Sequence, residues 1–348
     1  MLASVRSRHI LVAVIGLLIL VGLPAVVDLI TLLELSVYVV YAILALSLGF
    51  IWGYGGILCF GQAAFFGLGA YTYAVAAINA GESTGPFLLA ILLPLVFAGL
   101  LGAMMFYGRI SDVYMGVITL VVTLILYKFI NSTANETWVV GTARLGGFNG
   151  IPGFPTLNVP GDPGAVLDPQ QFFYVAMAFL LLVYFGLHWL MTTRFGRVVV
   201  AIRENEVRAE LLGYDIRLYK TAIFALGGGV AGLAGALFAN WGNFVSPGLF
   251  GLAQSATIII WVIVGGLGTL IGPVIGAVLI QFIATQLGQQ GAVNNAFVLG
   301  GILVLFVLLL PKGLMPTLGQ LIRQRIRPRR RTGRTRRQRR EGAHGRQG

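Results

Sequence analysis

"GYGGILCFGQAAFFGLGAY", Gly53 to Tyr71, decides how this sequence folds. Six of its nineteen residues are glycine and Gln62 stands in its middle, yet it lies inside an uncharged run from Leu35 to Gly81. Glycine weakens a helix interior because its backbone loses the most freedom on ordering. Gly53, Gly55 and Gly56 therefore fit a tight turn between a span ending at Trp52 and one starting near Ile57. Gly61, Gly67 and Gly69 then fall within the second span. There they serve either close helix packing or a solute path.

The surrounding composition fits two adjacent membrane helices. The chain has 348 residues, of which 57% are hydrophobic and 10% charged, with a mean hydropathy of +0.87. Soluble domains carry about 25% charged residues, so this is an all-α integral membrane protein. A span needs roughly 20 apolar residues. Charges, prolines and polar clusters cut the chain into about ten: 10–27, 35–52, 57–79, 87–107, 113–130, 171–191, 221–241, 253–270, 272–287 and 293–311. Several are Gly-interrupted. The first follows Arg6 and Arg8, is long for a signal peptide and meets no small-residue cleavage site, so it reads as a retained span.

Charge sets the expected orientation. From Lys312 onward there are thirteen Lys/Arg and one acid, Glu341, whereas the preceding residues are neutral overall. With ten spans and the N-terminus in the cytoplasm, the cytoplasmic pieces hold 22 of the 24 Lys/Arg. The outer pieces hold Asp28, Glu34, Glu82, Glu136, Asp162 and Asp168, with Lys128 and Arg144 the basic exceptions. Short-loop Lys/Arg bias orients membrane proteins, so both termini are expected inside. Residues 1–311 read as one transmembrane domain, and 312–348 as a disordered cytoplasmic tail.

Several function classes drop out. The only ionisable residues inside spans are Lys128 and His188, both toward span ends. Proton-coupled carriers accept charges near the bilayer centre because their mechanism needs them, so a stand-alone secondary carrier fits poorly. His9, His188 and His344 lie far apart, without a partner motif for a membrane enzyme. Cys59 is the single cysteine, which excludes an internal disulfide and a thiolate metal cluster. No metal site is expected. The Arg-rich tail suits anionic membrane lipid. It lacks the aromatic and groove-reading elements of nucleic-acid binding. The outer loop 131–170, with "GGFNGIPGFP" at Gly146–Pro155, is dense in turn residues. It reads as a cap over an outer vestibule or as a docking surface for an external partner.

The informative segment is "TTRFGRVVVAIRENEVRAELLGYDIRLYK", Thr192 to Lys220, with six basic and four acidic residues. Val199, Ile202, Val207 and Leu211 recur at helical spacings, and Glu204 with Arg208 is a favourable i,i+4 pair. One helix over 197–212, stopped by Gly213, is expected. Surface-anchoring helices are strongly cationic. Mixed charge from Arg203, Glu204, Glu206, Arg208 and Glu210 suits a protein groove better.

"GRVVVAIRENEVRAELLGYDIRLYK" followed by "LGGGVAGLAGALFA" resembles the permease subunits of ABC importers for branched-chain amino acids. So do Val245–Ala277, "LLLPKGLMP" at Leu308–Pro316, the opening stretch and "GGFNGIPG". The resemblance runs from about residue 35 to 316 and is shared in large part by urea and short-amide importers. It implies that 192–220 is the coupling loop of an ATPase supplied by another chain. Glu206, Ala209 and Gly213 match a loose form of the importer signature, one residue longer than the strict form. It further implies a second homologous permease subunit, two ATPase subunits that bind ATP and Mg, an extracytoplasmic solute-binding protein, and a bacterial inner membrane. The residues agree that energy comes from elsewhere, because the chain has no G-x-x-x-x-G-K-[ST] loop.

Two glycine-interrupted segments, Gly53–Gly69 and Gly265–Gly276, occupy corresponding positions in the two halves. Gly228, Gly232 and Ala236 recur every four residues, as do Gly268, Gly272 and Gly276 around Pro273, after Gly265 and Gly266. Small residues at this spacing let membrane helices pack closely. Paired Gly/Pro interruptions also mark translocation pathways in secondary transporters. A path for a neutral amino acid would draw on Gln62, Phe65, Tyr71, Thr72, Gln254 and Ser255. Each of these also reads as a packing contact or an intrabundle hydrogen bond.

Overall fold

In the computed structural model, residues 14–289 except 15 and 25 are described, with 300–301 and 313–317. The expected span 293–311 and the tail 312–348 thus lie largely outside the described residues. Residues 16–24 are helical, within the first expected span, whose start also lies outside them.

Asp28 begins the first long helix, α1 (Leu29–Gly53), by accepting from the Thr31 hydroxyl at 2.8 Å and the Thr31 N–H at 3.3 Å. These bonds hold the Asp28 carboxyl below its usual range. The helix is apolar on every face, and from Ser36 to Gly53 every residue but Tyr41 and Trp52 is buried. It runs through the bundle centre against α5 (Pro169–Thr192), α8 (Ile216–Gly242), α9 (Leu252–Gly265) and α10 (Ile271–Gln289). Around it stand α2 (Gln62–Ala80), α3 (Thr84–Tyr107) and α4 (Asp112–Ser132). Six of these helices, α1 to α5 and α8, are long and apolar enough to cross a membrane. With α9 and α10, eight of the ten expected spans are helices among the described residues.

Two boundaries differ from expectation. The span expected from Ile57 starts at Gln62, and residues 54–61 form an irregular connection. Its backbone groups find partners outside a helix: Gly56 N–H bonds Trp52 O at 3.1 Å, Ile57 N–H bonds Ile51 O at 3.3 Å, and Phe60 N–H bonds Thr119 Oγ1 at 3.2 Å. Gly61 is therefore the residue before α2, not one inside it, and a Cβ there would collide with the Thr119 carbonyl of α4. The span expected over 253–270 ends at Gly265, because Gly266 (φ 100°) and Gly268 (φ 84°) adopt left-handed backbone that side-chain-bearing residues rarely take. The 14 residues of α9 rise about 21 Å, short of a bilayer core of about 30 Å. Pro273 sits in the first turn of α10, where its missing N–H costs no helical bond.

Glycine sets how closely the helices meet. A Cβ on Gly235 of α8 would collide with Phe66 O of α2, and one on Gly69 of α2 with Gly232 O of α8. Pro94 leaves the Ala90 carbonyl of α3 without its helical donor, and Gly232 lies so close to that carbonyl that a Cβ there would stand 2.6 Å from its oxygen. Gly276 fits over Trp261 O, and Gly265 over Gly272 O, so α9 and α10 form a tight hairpin.

The chain is not wholly α. Three two-stranded pieces lie at the end of the bundle opposite 193–220: β1 (Val139–Val140) with β2 (Ala143–Arg144), β3 (Ile151–Pro152) with β6 (Phe244–Val245), and β4 (Asn158–Val159) with β5 (Asp162–Val166). Side chains fasten this loop down. Asn79 accepts from Thr142 N–H at 2.8 Å, Asn240 accepts from Leu157 N–H at 2.7 Å, and Tyr73 donates to Pro155 O at 3.0 Å.

Gly235→Ala should force α8 away from α2 and cost about 1–3 kcal/mol, as overpacking does. Gly242→Ala, where a Cβ meets nothing within 4 Å, should unfold like the parent. Thermal unfolding of the detergent-purified proteins checks the pair, and equal midpoints would refute the backbone contact.

Candidate functional site

The segment after α5 folds as two short helices, not one. The helix α6 (Arg194–Glu204) buries Val198, Val199 and Ile202. It ends at Asn205, whose backbone is extended (φ −162°, ψ 102°). Asn205 then caps α7 (Glu206–Leu211), accepting from Arg208 N–H at 2.9 Å. Asparagine favours this position because its side chain satisfies one of the orphan N–H groups of a helix start. Ala209 is buried against Val198 and Ile202. Gly213 (φ 85°) closes the turn as expected, donating to Glu210 O at 2.9 Å. Asp215 caps α8 through the N–H groups of Arg217 and Leu218.

The break changes which side chains share a face. Val207 and Leu211 no longer continue the stripe of Val199 and Ile202, and with Leu212 they turn outward. They are 66%, 82% and 75% exposed. The expected Glu204–Arg208 pair is replaced by Glu204 with Arg203 at 2.7 Å. Arg203 also donates to Gly53 O at the end of α1, its stem resting on Gly56 (φ 69°). Glu206 pairs with Lys220 of α8, and Glu210 is exposed. The end of α1 in turn touches the α9–α10 turn: a Cβ on Gly53 would lie 3.0 Å from Gly268 N, and one on Gly49 would strike Pro273.

The expected path residues separate into two groups. Gln62 donates to Ser47 Oγ at 2.7 Å and Gly227 O at 3.2 Å, and accepts from the buried Cys59 thiol at 3.7 Å. Phe65 packs edge-on against Phe97 and Phe224. Both belong to the packed interior of the subunit. Tyr71 instead stacks near Phe250, ring centroids 5.6 Å apart, in the 3-10 turn Pro247–Phe250 that leads to α9. The Tyr71 hydroxyl, Gln254 Nε2 and Ser255 Oγ are buried with no hydrogen-bond partner among the described residues. Thr72 is half-buried beside Tyr71. Gly265, Gly266, Gly268, Gly272, Pro273 and Gly276 all belong to the α9–α10 hairpin described above.

Residues 30–308 match the family model for the branched-chain amino acid transport system permease component. The chain belongs to that family. The permease is 29% identical to the high-affinity branched-chain amino acid transport system permease protein LivM of Escherichia coli, covering 90% of this chain and 76% of the relative. Against the Salmonella typhimurium protein of the same name the identity is 30%, over 80% and 68% of the two chains. A probable LivM of Methanocaldococcus jannaschii is 25% identical, over 83% of this chain and 94% of its own length. No solved structure gives a significant match.

Several site residues of the permease escape sequence reasoning. Lys220 and Asp112 are 108 residues apart yet 4.0 Å from each other. Phe250 faces both Tyr71 and Gly67 only because the short 3-10 turn before α9 places it there. Asn205 did carry a readable signal, since a cap-forming residue in mid-pattern marks a helix start. Asn205→Ala should fray α7 at a cost of about 1 kcal/mol, and Asn205→Asp should restore it. Hydrogen exchange over 206–212 measures this, and unchanged protection in Asn205→Ala would rule the cap out.

Proposed function

We propose that this permease is the membrane-spanning subunit of an ATP-driven importer of branched-chain or similar small neutral amino acids. We place α7 in a groove of an ATPase subunit from another chain. One observation carries this reading. A short helix, capped at both ends and anchored by Ala209, turns Val207, Leu211 and Leu212 outward beside Glu210. Exposed apolar side chains on a charged loop are costly unless a partner covers them. Their neighbours carry both signs of charge, which suits a protein groove better than anionic lipid.

In this reading the 193–220 end faces the cytoplasm, as do both termini, and the basic tail meets anionic lipid. The excess of Lys/Arg at that end supports the orientation. ATP and Mg bind the partner ATPase pair, and the 133–168 end receives the solute-binding protein. A second homologous permease subunit completes the pathway. Tyr71, Thr72, Gln254 and Ser255 offer uncharged hydrogen-bonding groups to a zwitterionic solute, beside the apolar Phe250. The names of the full-length relatives favour an amino acid over urea or a short amide as cargo.

Leu211→Asp changes an exposed side chain, so it should leave the permease folded while abolishing ATPase co-purification and leucine uptake. A variant that keeps both would overturn the proposal.

A further inference from the structure

The structure holds the coupling segment to the bundle through two cations of different character. Arg203 donates to the last carbonyl of α1, at the buried end of that helix. That contact is a fixed anchor. Lys220, in the second turn of α8, faces two carboxylates on two other elements. Its ammonium bonds Glu206 Oε1, at the start of α7, and lies 4.0 Å from Asp112 Oδ1, the first residue of α4. It also sits 5.9 Å from the Phe106 ring centroid, at the end of α3.

Burial makes the lysine and its acids unequal. The Lys220 side chain is only 11% exposed, whereas those of Glu206 and Asp112 are 48% and 61% exposed. Either carboxylate can return to water at small cost, but an ammonium that is largely covered needs a partner. The ammonium has donors for both acids, yet it engages them unequally. Glu206 has the direct bond, and Asp112 stands at the outer limit of an ion pair.

Of the six long helices α4 is the least buried. It follows Arg109, a non-glycine residue in left-handed backbone (φ 54°). Along its length it packs on the 3-10 turns Pro247–Phe250 and Gly147–Asn149 and on α2. The first of these turns carries Phe250, which stands over Tyr71.

Resting on the placement of α7 at the ATPase, we propose that Lys220 is a positioning residue that passes movement of α7 to α4 by exchanging Glu206 for Asp112. When α7 is drawn away, the ammonium transfers to Asp112 and pulls the start of α4 toward α8. The shift reaches the turn over Tyr71. No bond to solute or nucleotide is involved.

The test uses the complete transporter in liposomes, with uptake and ATP hydrolysis measured on the same preparation. Asp112→Asn, at an exposed position, should lower solute moved per ATP about two- to fivefold, the worth of a half-exposed ion pair expressed as an equilibrium. Glu206→Gln should raise ATP hydrolysis in the absence of solute, because Lys220 then rests on Asp112. The double variant should resemble Lys220→Met, not the product of the single effects. Lys220→Arg should keep more of the ratio than Lys220→Met. Normal uptake per ATP in Asp112→Asn, with the ATPase still bound, would overturn the exchange and leave the docking of α7 standing. Loss of docking itself is read separately from Leu211→Asp.

Discussion

Backbone meets backbone where α8 crosses α2 and α3, and the rest of the bundle is arranged around that contact. Lipid chains are as apolar as leucine, so burying apolar surface does little to drive membrane helices together. Close approach supplies the dispersion energy instead, and it requires positions without a Cβ. Gly69, Gly232 and Gly235 provide them, with Pro94 leaving a carbonyl for Gly232 to cover. Once α8 is seated there, its Gly227 carbonyl reaches Gln62, and Trp241 at its far end donates to Leu33 O of α1 at 2.8 Å. The central helix is thereby enclosed.

The same enclosure explains why both ends of the bundle are ordered without long helices. At one end, Asn79, Asn158 and Asn240 commit their amides to the backbone of residues 140–162, and strand β3 pairs with the segment after α8. At the other, Asn205, Asp215, Arg203 and Lys220 hold the two short helices against α1 and α8. These loops are platforms fixed to the bundle. Apolar residues on them, such as Phe148 and Leu211, are held exposed and not collapsed onto the body.

Much of this was legible in the chain. The uncharged runs mark eight helices near their expected places, and Gly213 ends its segment as a left-handed residue should. The misreadings have separate causes. Residues 54–61 look apolar enough for a helix, and 197–212 have helical spacing throughout. The first is broken by a partner distant in sequence, Thr119, and the second by Asn205, whose side chain caps a new helix in mid-pattern. Gln62, which reads either as a path group or as an intrabundle hydrogen bond, makes the latter, to Ser47 and Gly227.

Hydropathy and charge alone establish a membrane protein of many helices with one charged, amphipathic loop, and the chain carries the motifs of its permease family. Both properties act residue by residue, so they survive in a linear reading. The folded bundle was needed to show which glycines pack, which buried polar groups lack partners among the described residues, and that Val207, Leu211 and Leu212 face outward. It also brought Lys220 between Glu206 and Asp112. Those outcomes depend on distances between helices remote in sequence, and a distance of that kind has no period along the chain.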